Sequence, residues 1–110
     1  MGNSPEPAIA DAMNQLWVRF LPQMQARVST LEAAAAALAS GALTDELREQ
    51  ASAEAHKLAG VLGTFGLHEG TELAREAENA YENETHPTPG MADRLTGIAT
   101  RLRDLIAARE

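Results

Sequence analysis

Cysteine is absent from this sequence. With it go a disulfide scaffold, a thiolate-held zinc site and a cysteine nucleophile, and the absence fits a reducing compartment. Aromatic residues make up only 4% of the chain although 45% of it is hydrophobic, so a core has to be built from Leu, Ala, Val, Ile and Met, and the Leu and Ala among them are strong helix formers. Positive charge is scarce. Nine Lys and Arg stand against sixteen Asp and Glu, a formal net charge of -7, and an acidic chain of this size repels phosphate backbones, so no nucleic-acid partner is expected. Long hydrophobic runs are missing too. The longest apolar block, Ala33 to Ala39, is mostly alanine and falls short of the roughly 20 apolar residues that cross a bilayer, so no membrane partner is expected either. Met1 to Ala10 carries neither a basic cluster nor an apolar run and does not have the form of a secretory signal. A cytoplasmic location follows. The 110 residues fit one domain, 1–110, with its core over about 8–109.

What the chain does have is helical periodicity in every segment and no run that alternates with period two. Ile9, Met13, Leu16 and Phe20 form a first stripe, after which Pro22 interrupts; Trp17 and Phe20 are candidate core anchors. Leu21, Met24, Val28, Leu31, Ala35 and Leu38 form a second, stopped by Gly41. Thr44 is a suitable N-cap, with Asp45 and Glu46 in the first turn where the helix dipole favours negative charge. Leu47, Ala51, Ala55, Leu58, Leu62 and Phe65 follow, up to a tight turn at Gly66. A fourth segment carries Leu67, Leu73, Ala77, Ala80 and Tyr81. The stretch from Asn83 to Gly90, with two prolines, is a loop in which Thr88 and Pro89 have the form of an N-cap and first helical residue. Met91, Leu95, Ile98, Leu102 and Leu105 close the pattern. The expected fold is all-α: an antiparallel up-down four-helix bundle with either a short extra N-terminal helix or a kinked first helix.

On the third segment His56 lies about 100° from Ala55, on the flank of the apolar stripe and turned toward solvent. Its neighbours three and four residues away are Ser52, Ala53, Ala59 and Gly60, with Gly63 one turn further. All are small, which leaves the imidazole open to another protein. Gly60 inside a helix costs roughly 1 kcal/mol relative to Ala, and close approach of a partner or of a neighbouring helix, or fraying toward the turn at Gly63 and Gly66, would account for it. The acids Glu69, Glu72, Glu76 and Glu78 form a solvated face on the fourth segment, with Arg75 paired to the acids three residues to either side. His68 and His86 are expected to be surface histidines. No histidine pair has metal-ligand spacing and no P-loop occurs, so neither a metal site nor an ATP site of the chain's own is expected.

The run Ala55-His56-Lys57-Leu58-Ala59-Gly60-Val61-Leu62-Gly63-Thr64-Phe65-Gly66-Leu67 resembles the signature of the histidine-containing phosphotransfer (HPt) domain, and Gly70-Thr71-Glu72-Leu73-Ala74-Arg75-Glu76-Ala77-Glu78 is similar to the start of that family's following helix. The resemblance implies a phosphocarrier and not an enzyme. His56 would accept a phosphoryl group on its outer nitrogen, Nε2, and pass it to aspartates of receiver domains in two-component signalling. Its partners would be a response-regulator receiver and/or a hybrid histidine kinase. The chain would bind no cofactor of its own, Mg²⁺ coming with the receiver. Lys57, Gly60, Gly63, Ser52, Ala53 and Ala59 are the candidate phosphoryl-stabilising or docking residues. Two positions depart from the family pattern: Ala59 stands where many members have Lys or Arg, and Val61 where many have Ser. Which cation replaces the missing basic residue at Ala59 stays open. A helical interaction module that keeps the fold without phosphotransfer is the alternative. Imidazole suits carriage of this kind, because with an ordinary pKa near 6.5 much of it is neutral and nucleophilic at pH 7.

Overall fold

Leucine and alanine at helical spacing fold into four helices in a computed structural model of the chain, which describes residues 5–84 and 86–109. They are α1 (Pro5–Ala39), α2 (Asp45–Thr64), α3 (His68–Asn83) and α4 (Met91–Arg109), and no strand occurs among the described residues. Each helix lies beside two others in the cyclic order α1, α2, α3, α4, and the diagonal pairs stay apart. Cross-links show that every neighbouring pair is antiparallel. Between α1 and α2, Trp17 meets Phe65 and Arg27 pairs with Glu54. Between α2 and α3, Arg48 donates to the Tyr81 carbonyl at 2.8 Å and Thr71 to the Ala59 carbonyl at 3.2 Å. Arg101 holds Glu69 and Arg94 holds Glu84 between α3 and α4, while Arg103 holds Glu32 across α1 and α4. The expected up-down four-helix bundle is therefore the fold observed.

The helix ends follow local chemistry. Gly41, at φ +72°, lets Ala42 N–H reach back to the Ala37 carbonyl and Gly41 N–H to that of Leu38, which satisfies two orphan carbonyls at the end of α1. Thr44 caps α2 by accepting the Leu47 N–H at 3.1 Å. The start of α4 differs from expectation. Met91 N–H bonds the Thr88 carbonyl in a turn, and the first helical ladder bond runs from Arg94 N–H to the Gly90 carbonyl, so the helix begins after Gly90 and not at Pro89.

Pro22 does not interrupt α1, which runs through it as one helix. Of the two arrangements expected, the long first helix is the one found. Proline removes one ladder bond, here the one to the Val18 carbonyl, and both Pro22 and Val18 lie on the exposed side of the helix. The first apolar stripe is also corrected: Ile9 is 58% exposed and Leu16 37%, whereas Trp17 is buried to 2%. Length explains this. With 35 residues, α1 is about 52 Å long at 1.5 Å per residue, far longer than its partners, so its first turns have no helix beside them. Apolar packing begins at Trp17, one turn after Asn14 accepts from Arg109 at 3.2 Å; Trp17 packs edge-on against Phe65 at 5.1 Å beneath the Arg109 guanidinium at 4.9 Å.

The core is a column of Leu, Ala, Met and Ile, including Leu31, Leu38, Leu58, Leu62, Leu95, Ile98 and Leu102, while Phe65 is half-buried at its edge. Tyr81 is the largest fully buried side chain. Its hydroxyl finds no hydrogen-bond partner among the described residues, and burial pushes its phenol up to about 12. Leu102→Ala should therefore cost about 2–5 kcal/mol through lost burial and a residual cavity, whereas Tyr81→Phe should be neutral or stabilising by roughly 1 kcal/mol, because it deletes a buried unpaired hydroxyl. Urea unfolding followed by helical circular dichroism measures both, and a Tyr81→Phe variant that lost as much stability as Leu102→Ala would show that the hydroxyl is bonded after all.

Candidate functional site

The turn between α2 and α3 sets the register of everything near His56. Gly66, at φ +75°, closes α2 with bonds from Gly66 N–H to the Gly63 carbonyl and from Leu67 N–H to the Leu62 carbonyl. Immediately after it Gly70 is buried against α2; a Cβ there would lie 2.9 Å from Leu62 Cδ1. The two helices thus leave the turn in close contact, and the Thr71 hydroxyl donates to the Ala59 carbonyl one turn on. About two turns further along α3, Glu78 comes opposite His56.

There the site takes form. His56 Nδ1 lies 2.7 Å from Glu78 Oε2. A carboxylate only accepts hydrogen bonds, so Nδ1 of the neutral ring carries the proton and donates. Nε2 then holds the free lone pair at the outer end of a side chain that is 73% exposed, while Glu78 is only 24% exposed. The carboxylate is braced by the bundle and the imidazole stands off it into solvent. An imidazole oriented by one nitrogen and open at the other is suited to act as a nucleophile or a proton acceptor.

The small residues divide. Gly60 and Gly63 are both exposed, and nothing lies within 4 Å of where a Gly60 Cβ would be. Close packing of a neighbouring helix is therefore not the reason for Gly60. Ala53 is exposed, and Ser52 is half-buried in a shallow hollow lined also by Arg48, Glu49, Tyr81 and Glu82. Ala59 is corrected as a docking residue: it is 5% exposed, turned into the core, and only its carbonyl is engaged, by Thr71. The periodicity explains the shift, since on the helix wheel Ala59 lies about 40° from the core residue Ala55 and about 60° from His56, within the buried arc. Lys57 is exposed and leans toward Glu54 at 3.9 Å, on the side of α1 and away from Glu78. His68 and His86 are exposed, at the start of α3 and in the loop before α4.

Two expectations for α3 are overturned. Glu78 is not part of a solvated acidic face but the partner of His56. Arg75 does not pair with the acids at 72 and 78; it makes no ion pair or side-chain hydrogen bond to the described residues, although Arg27, Arg94, Arg101 and Arg103 all hold carboxylates. A count outward from Gly66 would have found Glu78. In a tightly turned helical hairpin the residue ten before the turn faces those ten to twelve after it, and residue 78 is an acid.

Comparison with known proteins gives two matches. The sequence model of the Hpt domain matches residues 15–109. Protein RcaC of Microchaete diplosiphon is 32% identical over 91 residues, which cover 83% of this chain and 14% of that protein's length. The chain therefore spans about a seventh of this relative. No solved structure matches significantly.

The His56–Glu78 bond has a direct readout. Nitrogen-resolved NMR of the imidazole at alkaline pH should show Nδ1 as the protonated nitrogen, and Glu78→Ala should shift the ring toward the Nε2–H form that free histidine prefers. An Nε2–H tautomer in the unaltered protein would contradict the arrangement.

Proposed function

This chain belongs to the Hpt domain family, and on that premise we propose that it carries a phosphoryl group on His56 Nε2 between the aspartates of receiver domains. The family places it in phosphorelay, two-component signalling. The observation that carries the finer reading is the bond from Nδ1 to Glu78, which leaves the Nε2 lone pair exposed.

Uptake is written as an in-line displacement. The Nε2 lone pair attacks the phosphorus of an aspartyl phosphate on the partner. The Nε2–P bond forms as the P–O bond to the aspartate breaks, and the departing carboxylate keeps the electron pair. The proton on Nδ1 stays where it is, and the positive charge that develops on the ring is met by the Glu78 carboxylate. Passing the group onward is the reverse of this step with a second aspartate. Catalysis of such transfer is mostly positioning and charge neutralisation, so a carrier that presents a pre-oriented nucleophile on a rigid helix leaves the remaining machinery to its partner. A receiver domain, alone or as part of a hybrid kinase, is the proposed partner. The Mg²⁺ that such transfer uses is assigned to the receiver. The chain's own part is that of a phosphocarrier and not of an ATP-using enzyme.

The docking surface is the exposed strip of Ala53, Gly60 and Gly63 beside the imidazole. Gly60 carries a helix-propensity cost of roughly 1 kcal/mol with no neighbour that needs the space, which supports its role in letting a partner come close.

His56→Ala should fold with little change in stability, as exposed substitutions usually do, and should take up no label from a phosphorylated receiver. His56→Gln keeps a polar side chain of similar reach and should be equally inert. Acid-labile, base-stable phosphate on His56→Ala would place the carrier residue elsewhere, and an unaltered protein that took up none would favour an interaction module that has kept only the fold. Gly60→Gln should unfold no more readily than the unaltered chain yet transfer phosphate at least tenfold more slowly; transfer at the original rate would remove close approach as the reason for the glycine.

A further inference from the structure

Phosphorylated His56 needs a cation that the residue three positions after it, Ala59, cannot supply. The need is sharpened by Glu78, whose carboxylate is bound to the same ring. A phosphoryl dianion on Nε2 would stand near this negative charge on a protein that is already acidic. Lys57, next to His56 in sequence, is displaced toward α1 and leans on Glu54.

Arg75 is placed differently. On α3 it lies four residues after Thr71 and three before Glu78, and residues at these spacings share one helix face. Both of its neighbours on that face touch α2: Thr71 through the Ala59 carbonyl, and Glu78 through the His56 ring. Arg75 therefore stands along the α2–α3 groove; in an antiparallel pair the α2 residues between the two contacts are Lys57 and Leu58, which puts Arg75 about level with the step from His56 to Gly60. The space above Gly60 is empty. Arg75 itself is exposed, and no carboxylate among the described residues holds it, in contrast to Arg27, Arg94, Arg101 and Arg103. Its Cβ lies about 5–6 Å from that of Glu78, the spacing of i,i+3 neighbours, and an arginine side chain spans that distance with length to spare.

We propose that Arg75 is the phosphoryl-binding residue of this carrier: its guanidinium crosses the open lane left by Gly60 and donates to the oxygens of a phosphoryl group on His56 Nε2. This rests on His56 being the carrier residue. Gly60 then does two things at once, admitting the partner and giving Arg75 its path. The planar fork of a guanidinium suits two phosphoryl oxygens and needs no protonation event at neutral pH. The cation of the site comes from the helix opposite the histidine instead of from the histidine's own helix, and Glu78 and Arg75 on α3 divide the work: one holds the ring, the other the group it carries.

Phosphoramidate tests this without a receiver. Its P–N bond breaks as ammonia leaves from the protonated donor, and the Nε2–P bond forms on His56. The phosphorylated full-length chain is then compared with Arg75→Ala and Arg75→Lys. Arg75→Ala should lose its phosphoryl group to water at least several-fold faster, and its phosphorus NMR signal should titrate at higher pH, because a nearby cation favours the dianion and its removal disfavours it. Arg75→Lys should recover part of both effects, and thermal unfolding should be alike in all three. A purely structural residue would not move the phosphorus titration. An Arg75→Ala protein with the original phosphohistidine lifetime and titration overturns the assignment of Arg75 and leaves His56 as carrier. Failure of the unaltered chain to take any label from phosphoramidate overturns both.

Discussion

The chain reversal at Gly66 is the constraint on which the rest of the site depends. Two backbone bonds and one left-handed residue end α2 and start α3 within three residues, and Gly70 then lets α3 settle against Leu62. A loop one residue longer would rotate α3 by about 100° relative to α2 and carry Glu78 away from the imidazole. The hydrogen bond that fixes the tautomer of His56 is thus set nearly three turns away from the histidine, by backbone geometry.

The bundle supplies stiffness to this arrangement without contributing chemistry. Its core is alanine where helices come closest, as at Ala51, Ala55 and Ala59 on α2 facing Ala74 and Ala77 on α3, and larger where they part. Small residues at the α2–α3 contact bring the backbones near enough for Thr71 to reach a main-chain carbonyl, a bond that a larger residue at 59 would displace. Ala59 is buried at this contact, at the position where the family often places a basic residue. On the reading proposed above, the cation for the phosphoryl group is Arg75 of α3.

Elsewhere charge serves assembly. Arg101 on Glu69 and Arg103 on Glu32 tie α4 to its two neighbours, and each guanidinium holds its carboxyl below the usual carboxylate range. These are exposed pairs, of modest worth individually, and they lie along the flanks of α4, away from the groove between α2 and α3. The segregation leaves that groove with a histidine, a carboxylate, two glycines and an arginine with no carboxylate bound.

Much of this was legible in the sequence. Helical periods of Leu and Ala, the cap at Thr44 and the stops at Gly41 and Gly66 are local signals, decided by backbone sterics and side-chain reach within one turn, and the structure follows them. His56 on the flank of its apolar stripe is likewise a matter of counting around one helix, as is the open surface at Gly60 and Gly63. What the sequence could not decide by itself depends on which helix lies beside which, and for how far. Trp17, and not Ile9 or Leu16, begins the packing of α1 because its partners end there. Ala59 is core and not surface because α3 closes over it. By sequence Glu78 and Arg75 are two members of a solvated, mutually paired face, and only the register of the α2–α3 hairpin separates them, one bound to the imidazole and the other exposed with no carboxylate among the described residues. A single helix determines the direction of each of its own side chains. The identity of what each one meets is a property of two helices in register, and that is settled by tertiary packing.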